Sequence, residues 1–478
     1  MSKYYFDLIS FLLIAFNAGV VAQTAPVLTT QDSLLERPPF KLFRAEENYD
    51  YLQAKEKIPY KADYLDAIKF IGLNATEDIN LSFGGEIRLR LEDFTNRNWM
   101  DEDETFYSHR LAFHSNLNVT RYIRFFGELY HGLVSLEQPE FVQSDRLDWH
   151  QGFLELKFPI EKKRLSLRFG RQEMSFGATR LIGIREGPNI RRSFDLGRVI
   201  FQTFRSKTEL FYGKEVQPQF GIFDNSFSLF NGNTQNPKLW GIYSQFTLKQ
   251  DVGKMEVYYL GFETPLSFFN DATGEDKRHT IGSRRFGKLG NKLRYNTELM
   301  FQIGETGGKN VIGWAFETDW HYSFNNKDWH PEFGLKVDVI SGDKTYGDDR
   351  IQTFNPMFTN PGYFSLAGII APVNLIEFHP SISIQPTERL QVYFEWACFF
   401  RYSINDGVYA PPRFLMIEGQ QSNERFIGNQ LGCKVAYEID QHFSFDFDFS
   451  YFITGSFLES TGNRQNMVHI APTITFKY

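Results

Sequence analysis

The sequence predicts an all-β chain: an 18-stranded antiparallel transmembrane β-barrel with short periplasmic turns, long extracellular loops and an N-terminal periplasmic segment. Three observations predict it. The first is alternation. In the last stretch, Val468, Ile470, Pro472, Ile474, Phe476 and Tyr478 take every second position, and Ala471, Thr473, Thr475 and Lys477 fill the others. Period-two alternation places one face of a strand in an apolar medium and the other in water. The second is composition: 50 Phe, 23 Tyr and 17% aromatics overall, with a mean hydropathy of −0.36. Membrane barrels use aromatic girdles at both interfaces and stay hydrophilic on average, because only one face of each strand meets lipid. The third is the parity of the connections, set out below.

Taken in order, the chain opens as a secretory signal. Lys3 precedes the apolar run Leu8–Phe16, and Val20-Val21-Ala22 supplies small residues, which places cleavage after Ala22. The apolar run is shorter than the roughly 20 residues a helical span needs. Residues 23–78 are rich in Pro, Glu, Lys and Tyr without sustained alternation. They read as a periplasmic segment with one short helix near Ala62–Phe70. From residue 79 to 478 alternation recurs. Ile79, Leu81, Phe83, Ile87, Leu89 and Leu91 share one face, and Asn80, Ser82, Glu86, Arg88 and Arg90 share the other.

Repeating this reading gives strands near 79–94, 105–118, 122–133, 147–158, 163–176, 197–204, 207–215, 237–248, 254–263, 278–286, 291–303, 310–323, 332–341, 371–385, 389–402, 425–437, 441–453 and 466–478. The count is even, as a single-chain bacterial barrel requires. Even-to-odd connections such as Val119–Tyr122 and Pro159–Lys162 are short. Odd-to-even ones such as 177–196, 216–236 and 342–370 are long and rich in Gly, Asn and Asp. Short turns at one end and long loops at the other is the outer-membrane arrangement.

The net charge is −7, with a pI near 5.9. That excludes a nucleic-acid binder with a strong basic field. Cys398 and Cys433 fall in the apolar phase of neighbouring strands, as small lipid-facing hydrophobes or a cross-strand disulfide. No nucleophile elbow, His-Glu-x-x-His or phosphate-binding Gly-rich loop occurs, so no catalytic residue, metal or cofactor is expected. The loop Ser341–Arg350 carries Asp343, Asp348 and Asp349, but its spacing does not match the EF-hand loop.

By phase, Arg88, Arg90, Arg110, Arg124, Lys157, Arg168, Arg284, Arg294, Lys336 and Arg401 point into the lumen. So do Glu86, Glu92, Glu128, Glu155, Glu298, Asp338, Glu395, Asp446 and Asp448. This near balance suits either cross-strand ion pairs that stiffen a wide lumen or a basic wall that attracts an anionic solute. One basic cluster, Arg171 to Arg180 and then Arg185, Arg191, Arg192 and Asp195, lies at the top of the fifth strand and in the next loop. A loop of that length either stands solvated outside the pore or folds into it as a constriction. Arg pairs bidentately with carboxylates and suits an acidic sugar.

At these residues the chain resembles the alginate export family of outer-membrane porins. Asp66–Leu73 with Leu81–Arg90 carries the likeness, as do Phe169–Glu173 through Arg191-Arg192-Ser193-Phe194-Asp195. Gly342–Lys344 through Thr353–Phe358 and Gly362-Tyr363 continue it, followed by Asn374-Leu375, Pro386, Phe399-Phe400-Arg401 and Asp406–Tyr409. The resemblance implies a monomeric barrel that lets an acidic polysaccharide cross the outer membrane through an arginine-rich constriction. It implies pore or substrate-binding roles for Arg88, Arg90, Arg171, Arg191, Arg192 and Arg401, with Asp195 as a counter-charge. The expected partners are an anionic polysaccharide or oligosaccharide, outer-membrane lipid and periplasmic synthesis or export proteins. The alternatives are a general or nutrient-uptake porin without polysaccharide specificity, a barrel enzyme acting on lipid or sugar, and a secreted β-protein that binds glycans.

Overall fold

The computed structural model describes residues 35, 37–53, 60–136, 142–229, 235–248, 253–324, 328–411 and 413–478. The signal segment and its cleavage point after Ala22 lie outside the described residues. The chain divides into two compact units. One comprises residues 1–38 and 55–62; the other comprises 39–54 and 63–478. Within the first, Leu35 and Tyr60 form a parallel bridge.

The second unit is an antiparallel barrel of eighteen strands: β1 (Asn80–Thr95), β2 (Glu104–Thr120), β3 (Ile123–Val134), β4 (Asp145–Ile160), β5 (Lys163–Gln172), β6 (Phe194–Gln202), β7 (Ser206–Glu215), β8 (Lys238–Thr247), β9 (Lys254–Phe269), β10 (Ala272–Leu289), β11 (Leu293–Thr306), β12 (Lys309–Ser323), β13 (Glu332–Ile340), β14 (Leu375–Thr387), β15 (Leu390–Arg401), β16 (Phe426–Glu438), β17 (Phe443–Thr454) and β18 (Met467–Lys477). Each pairs with its sequence neighbours, and β1 pairs with β18 from Glu86 opposite Lys477 to Thr95 opposite Val468. Closure removes the sheet edge, the condition for a β structure in lipid.

Alternation decides which side chain meets which medium. Leu111, Phe113, Leu167, Phe169, Phe301, Ile303, Phe378 and Ile382 are exposed on the outer face. Their neighbours in the other phase, among them Arg110, Glu128, Gln302 and Glu377, are buried inside. Cys398 and Cys433 share the outward phase of Trp396 and Leu431 and are free. The register sets Cys398 opposite Asn429 and Cys433 opposite Phe394, so the two sulfurs are four residues out of step and no cross-strand disulfide forms.

Four strands depart from the sequence reading at their ends. β9 and β10 run on to Phe269 and Ala272, joined by a tight turn in place of a long loop, with a bulge between Thr264 and Ser267. β14 begins at Leu375 and not at 371, because Asn374 adopts a left-handed backbone (φ 51°). Its side-chain amide instead donates to the carbonyls of Ser403 and Gly407 at 3.0 Å each. β6 begins at Phe194, three residues early, which brings Asp195 into the wall opposite Arg171.

Residues 39–53 also belong to the barrel unit. A short helix, Asp66–Lys69, and a two-residue strand, Ile71–Gly72, lead into β1. Ala45 packs on the inward rings of Phe126 and Phe153. The Arg44 guanidinium donates to the carbonyls of Gly85 and Tyr478 at 2.8 Å each. Arg44 thereby fastens this segment at the seam where the first strand meets the last.

Candidate functional site

The site is the lumen and what fills it. Two long loops fold inward, residues 173–193 after β5 and 341–374 after β13, and they bond to each other. Gly183 N–H donates to Phe358 O at 2.9 Å, Phe358 N–H to Leu181 O at 2.9 Å, and Asn360 N–H to Thr179 O at 3.0 Å. Glycine at 183 lets the loops approach closely: a Cβ there would lie 3.0 Å from the Asn360 Cβ and 3.1 Å from the Thr179 Cβ. Left-handed conformations at Thr179, Arg185 and Met357 reverse the chain inside the barrel. Leu181, Ile182, Phe354, Met357, Phe358 and Phe364 are buried together with the inward side chains Phe194, Phe211, Leu260, Phe262 and Met300. An apolar plug thus sits within a polar tube, and the loops are held by burial as well as charge.

Charge fixes where the plug sits. Glu298, Glu317, Asp338 and Glu377 stand side by side across β11 to β14. Like charges directly opposite each other destabilise a sheet, so the row requires cations. Arg180 supplies one from the first loop, meeting Glu298 at 2.9 Å and Glu317 at 2.8 Å and bonding the Tyr363 hydroxyl of the second loop. Lys336 meets Glu377 at 3.3 Å and donates to the carbonyls of Tyr363 (2.5 Å) and Phe364 (3.0 Å). His379 lies between Glu377 (2.6 Å) and Glu395 (3.1 Å). Both oxygens of Asp338 are buried without a partner.

Across the lumen a second network forms around Glu186. Arg110 meets it at 2.5 Å and also pairs with Glu86 at 2.8 Å. Arg191 bonds Glu186 and lies 3.7 Å from Glu86 and 3.8 Å from Glu173. Arg88 donates to the carbonyls of Glu186 (2.9 Å) and Pro188 (3.3 Å). Burial opposes ionisation of Glu186, but Arg110 and Arg191 hold its carboxyl well below the usual range. Burial pushes Glu173 up to about 7 against the pull of Arg191.

The structure thus brings Arg88 and Arg191 together, with Arg192 beside them. Arg192 is buried, bonds Glu215 and the Gly183 carbonyl at 2.8 and 2.9 Å, and bonds the Phe358 carbonyl. Arg90 pairs with Glu92 at 3.0 Å on the same wall. The other three predicted site residues lie elsewhere. Arg171 and Asp195, paired at 2.8 Å, fall in the outward phase of Phe169 and Val199 at the rim. The carbonyls of Asn225 and Ser226 and the Ser228 hydroxyl cap them there. Arg401 is fully buried and donates to the carbonyls of Ile404, Asp406, Gly419, Ser422 and Glu424, so it organises the loop after β15.

Sequence reading missed Glu186, Glu317, Glu377 and the bridging role of Arg180, because their partners lie far along the chain. The loop aspartates 343, 348 and 349 are not part of a metal-type donor group among the described residues. Among the described residues one group gathers metal-type donors, Glu128, His150 and Glu173, whose ligand atoms lie within 4.8 Å of one another.

Among the described residues, the lumen includes two sizeable cavities. One of about 590 Å³ lies at the short-turn end, between the barrel wall and Glu46, Glu47, Tyr49 and Asp50 of the N-terminal segment. The other, about 360 Å³, lies between that segment and the first loop, lined by Phe43, Ala45, Arg168, Glu173, Phe176, Arg198 and Glu256 among others.

The model of the family described as Alginate export matches residues 79–470, the whole span of the barrel up to its last strand. The chain belongs to the alginate export family. By family it is an outer-membrane channel. A search of curated proteins found no match. Among solved structures, OpdO of Pseudomonas aeruginosa is similar at 10% identity and a TM-score of 0.55, over 85% of this chain and 99% of that one. A BenF-like porin from Pseudomonas fluorescens Pf-5 is similar at 9% identity and a TM-score of 0.55, over 83% and 98%. OccK2 (OpdF) of Pseudomonas aeruginosa, solved in complex with glucuronate, is similar at 9% identity and a TM-score of 0.51, over 83% and 97%. At such identities the likeness is one of fold.

Proposed function

We propose that this channel passes an anionic oligosaccharide or polysaccharide of the uronate class by passive diffusion. One observation carries the reading: the barrel wall of the larger cavity is basic. Arg121, Arg124, Lys157, Arg164, Arg168, Arg198 and Lys207 line it, against Glu155 as the single acidic residue from the strands. A one-signed wall in a low-dielectric tube concentrates counter-charged solute locally, whatever the net charge of the chain. The acidic residues Glu46, Glu47, Asp50, Glu77 and Asp78 of the N-terminal segment line the same cavity.

On this reading Arg88, Arg191 and Arg192 shape the constriction by holding residues 173–193 inside the lumen, and Arg90 extends the basic wall above it. Arg171 with Asp195 braces the rim from the outward phase, and Arg401 sets the loop after β15. Residues 23–78 form a periplasmic segment whose part 39–53 seats in the barrel mouth, after removal of residues 1–22.

A second reading has specific support. The lumen is narrowed by two loops and the N-terminal segment to cavities of about 590 and 360 Å³, which suit a short saccharide better than a polymer in transit. That favours an uptake porin; of the structures similar in fold, one is a BenF-like porin and another was solved in complex with glucuronate. Planar-bilayer recordings with uronate monomers, oligomers and polymers decide between the two. The proposal expects anion selectivity that falls in the combined variant Lys157→Gln, Arg164→Gln and Lys207→Gln. Equal permeability to neutral and acidic sugars would sink it, and a block by monomer alone would establish uptake.

A further inference from the structure

We propose that Glu128, His150 and Glu173 form a binding site for a divalent transition-metal ion, Zn²⁺ in chemical class, which ties the root of the first inward loop to the barrel wall. Three separate elements supply the donors: β3, β4 and the first residue after β5. The His150 imidazole lies 3.0 Å from a Glu173 oxygen, and Gln151 orients the Glu128 carboxylate with a 2.7 Å bond to its second oxygen. All three residues are buried, with exposures of 1 to 5%.

The surroundings point to a missing ligand. His114 Nδ1, the Tyr130 hydroxyl and Glu173 Oε2 are all buried without a partner. Each of them adjoins the trio. His114 Nδ1 lies 3.9 Å from Glu128, the Tyr130 ring stacks on His150 at 4.1 Å, and Glu173 Oε2 belongs to the trio itself. An unmade hydrogen bond at a buried polar atom costs about 1–3 kcal/mol, so three around one point are a strong demand for an occupant. A metal ion satisfies Glu173 directly, and its remaining coordination position holds water that can serve Tyr130 and His114.

The donor set fits. Two carboxylates and one imidazole are an ordinary zinc set with one open position, and a glutamine bonded to a ligating carboxylate is a typical supporting contact. Glu86, Glu128, Glu173 and the loop residue Glu186 gather here with the guanidiniums of Arg88, Arg110 and Arg191, while Arg171 acts on His150 and Arg44, Lys69 and Arg124 act on His114. Arg191 keeps Glu86 and Glu186 as partners when Glu173 turns to the metal. Binding displaces the proton held between His150 Nε2 and Glu173 Oε1, which leaves to solvent. Glu173 and Gln151 line the 360 Å³ cavity, which gives the ion a way in.

The experiment uses the full chain folded in detergent, stripped with chelator and titrated with Co²⁺, whose visible d–d bands report ordered coordination. Stoichiometric bands that Zn²⁺ abolishes are expected. His150→Ala and Glu173→Gln should each weaken binding by more than about a hundredfold, and His114→Gln by about ten- to a hundredfold. Folding is checked by heat-modifiable mobility, and Glu128→Gln, which keeps an acceptor for Gln151, stands in where His150→Ala fails to fold. Folded wild-type protein that shows no bands overturns the site, as do bands that survive the ligand substitutions.

Discussion

Phe358 is the side chain on which the two inward loops meet. It is 1% exposed. Its ring packs edge-on against Phe194 at 5.1 Å and Phe262 at 5.5 Å, and the Arg192 guanidinium lies 5.3 Å from its centroid. Phe358→Ala therefore removes a buried aromatic side chain and leaves a void, at a cost of about 3–5 kcal/mol. About 0.5–1.5 kcal/mol of this belongs to each ring pair beyond its burial. The backbone bonds between Phe358 and residues 181 and 183 remain, but each contributes only about 1 kcal/mol net. The loss falls on the loop contact and not on the wall, because the interstrand ladders do not pass through residue 358. Since 1.4 kcal/mol is tenfold in an equilibrium, the population of a parted-loop state should rise by about a hundredfold or more. Single-channel recording reads this as higher mean conductance with frequent transitions, while the heat-modification temperature of the barrel stays near wild type. Phe358→Leu should fall between the two. Wild-type conductance and open probability in a folded Phe358→Ala protein would refute the idea that this contact closes the lumen.

Arg44→Gln takes away the guanidinium fork that grips the Gly85 and Tyr478 carbonyls; charged hydrogen bonds contribute about 1.5–3 kcal/mol each. Conductance should rise and protease should cut within 39–53 faster, with the barrel still resistant. Asp338→Asn relieves a carboxylate that is buried, unpartnered and flanked by Glu317 and Glu377. It should raise the heat-modification temperature, and a lowered one would show that the charge is needed there. Burial, and behind it the nearby Asp406 carboxylate, pushes the Asp343 carboxyl up to about 7. The folded loop therefore holds a proton between about pH 4 and 7 that the unfolded loop releases. Stability gained this way is present at low pH and fades as pH rises through 7. Protection factors of residues 341–360, with intrinsic exchange divided out, should fall from pH 5 to pH 8, and Asp343→Asn should flatten that change.

The wall of the barrel was legible because its cause is local. A residue such as Phe301 faces lipid and Gln302 faces water for reasons written in neighbouring positions, and a register slip of one would invert them. That is why strand number, closure and the facing of Cys398 and Cys433 could be read from the chain. The misread ends are where another constraint overrides alternation. At Asn374 a left-handed backbone ends the pattern before β14. At Phe269–Ala272 the strands pair on to a tight turn past a bulge between Thr264 and Ser267, where the extra residue shifts the alternation.

The lumen was legible only in its residue types. Phase placed Arg88 and Glu86 inside, but not what they meet: Arg88 answers to carbonyls near residue 188, and Glu86 to Arg110 and Arg191. Phase also gives the reason Arg171 leaves the lumen. It is two residues past Phe169, so the strand that turns Phe169 to lipid turns Arg171 outward, and a loop must cover it. An arginine cluster in sequence is thus split by the wall into residues of opposite phase. The same logic explains why Arg401, in the inward phase, still does not present a free charge: five carbonyls of its own loop consume the donors that a solute would need. In a tube whose cations are mostly engaged, the charges left to act on a solute are those beside open volume. Here these include Lys157, Arg164 and Lys207 at the short-turn end, on β4, β5 and β7 of one wall; Lys207 also meets Glu209 at 2.6 Å and Arg164 donates to Gln202 at 2.7 Å. Selectivity should therefore be set below the arginine-rich loop and not at it, and substitutions in the loop should alter how wide the path opens before they alter which sign of charge it prefers.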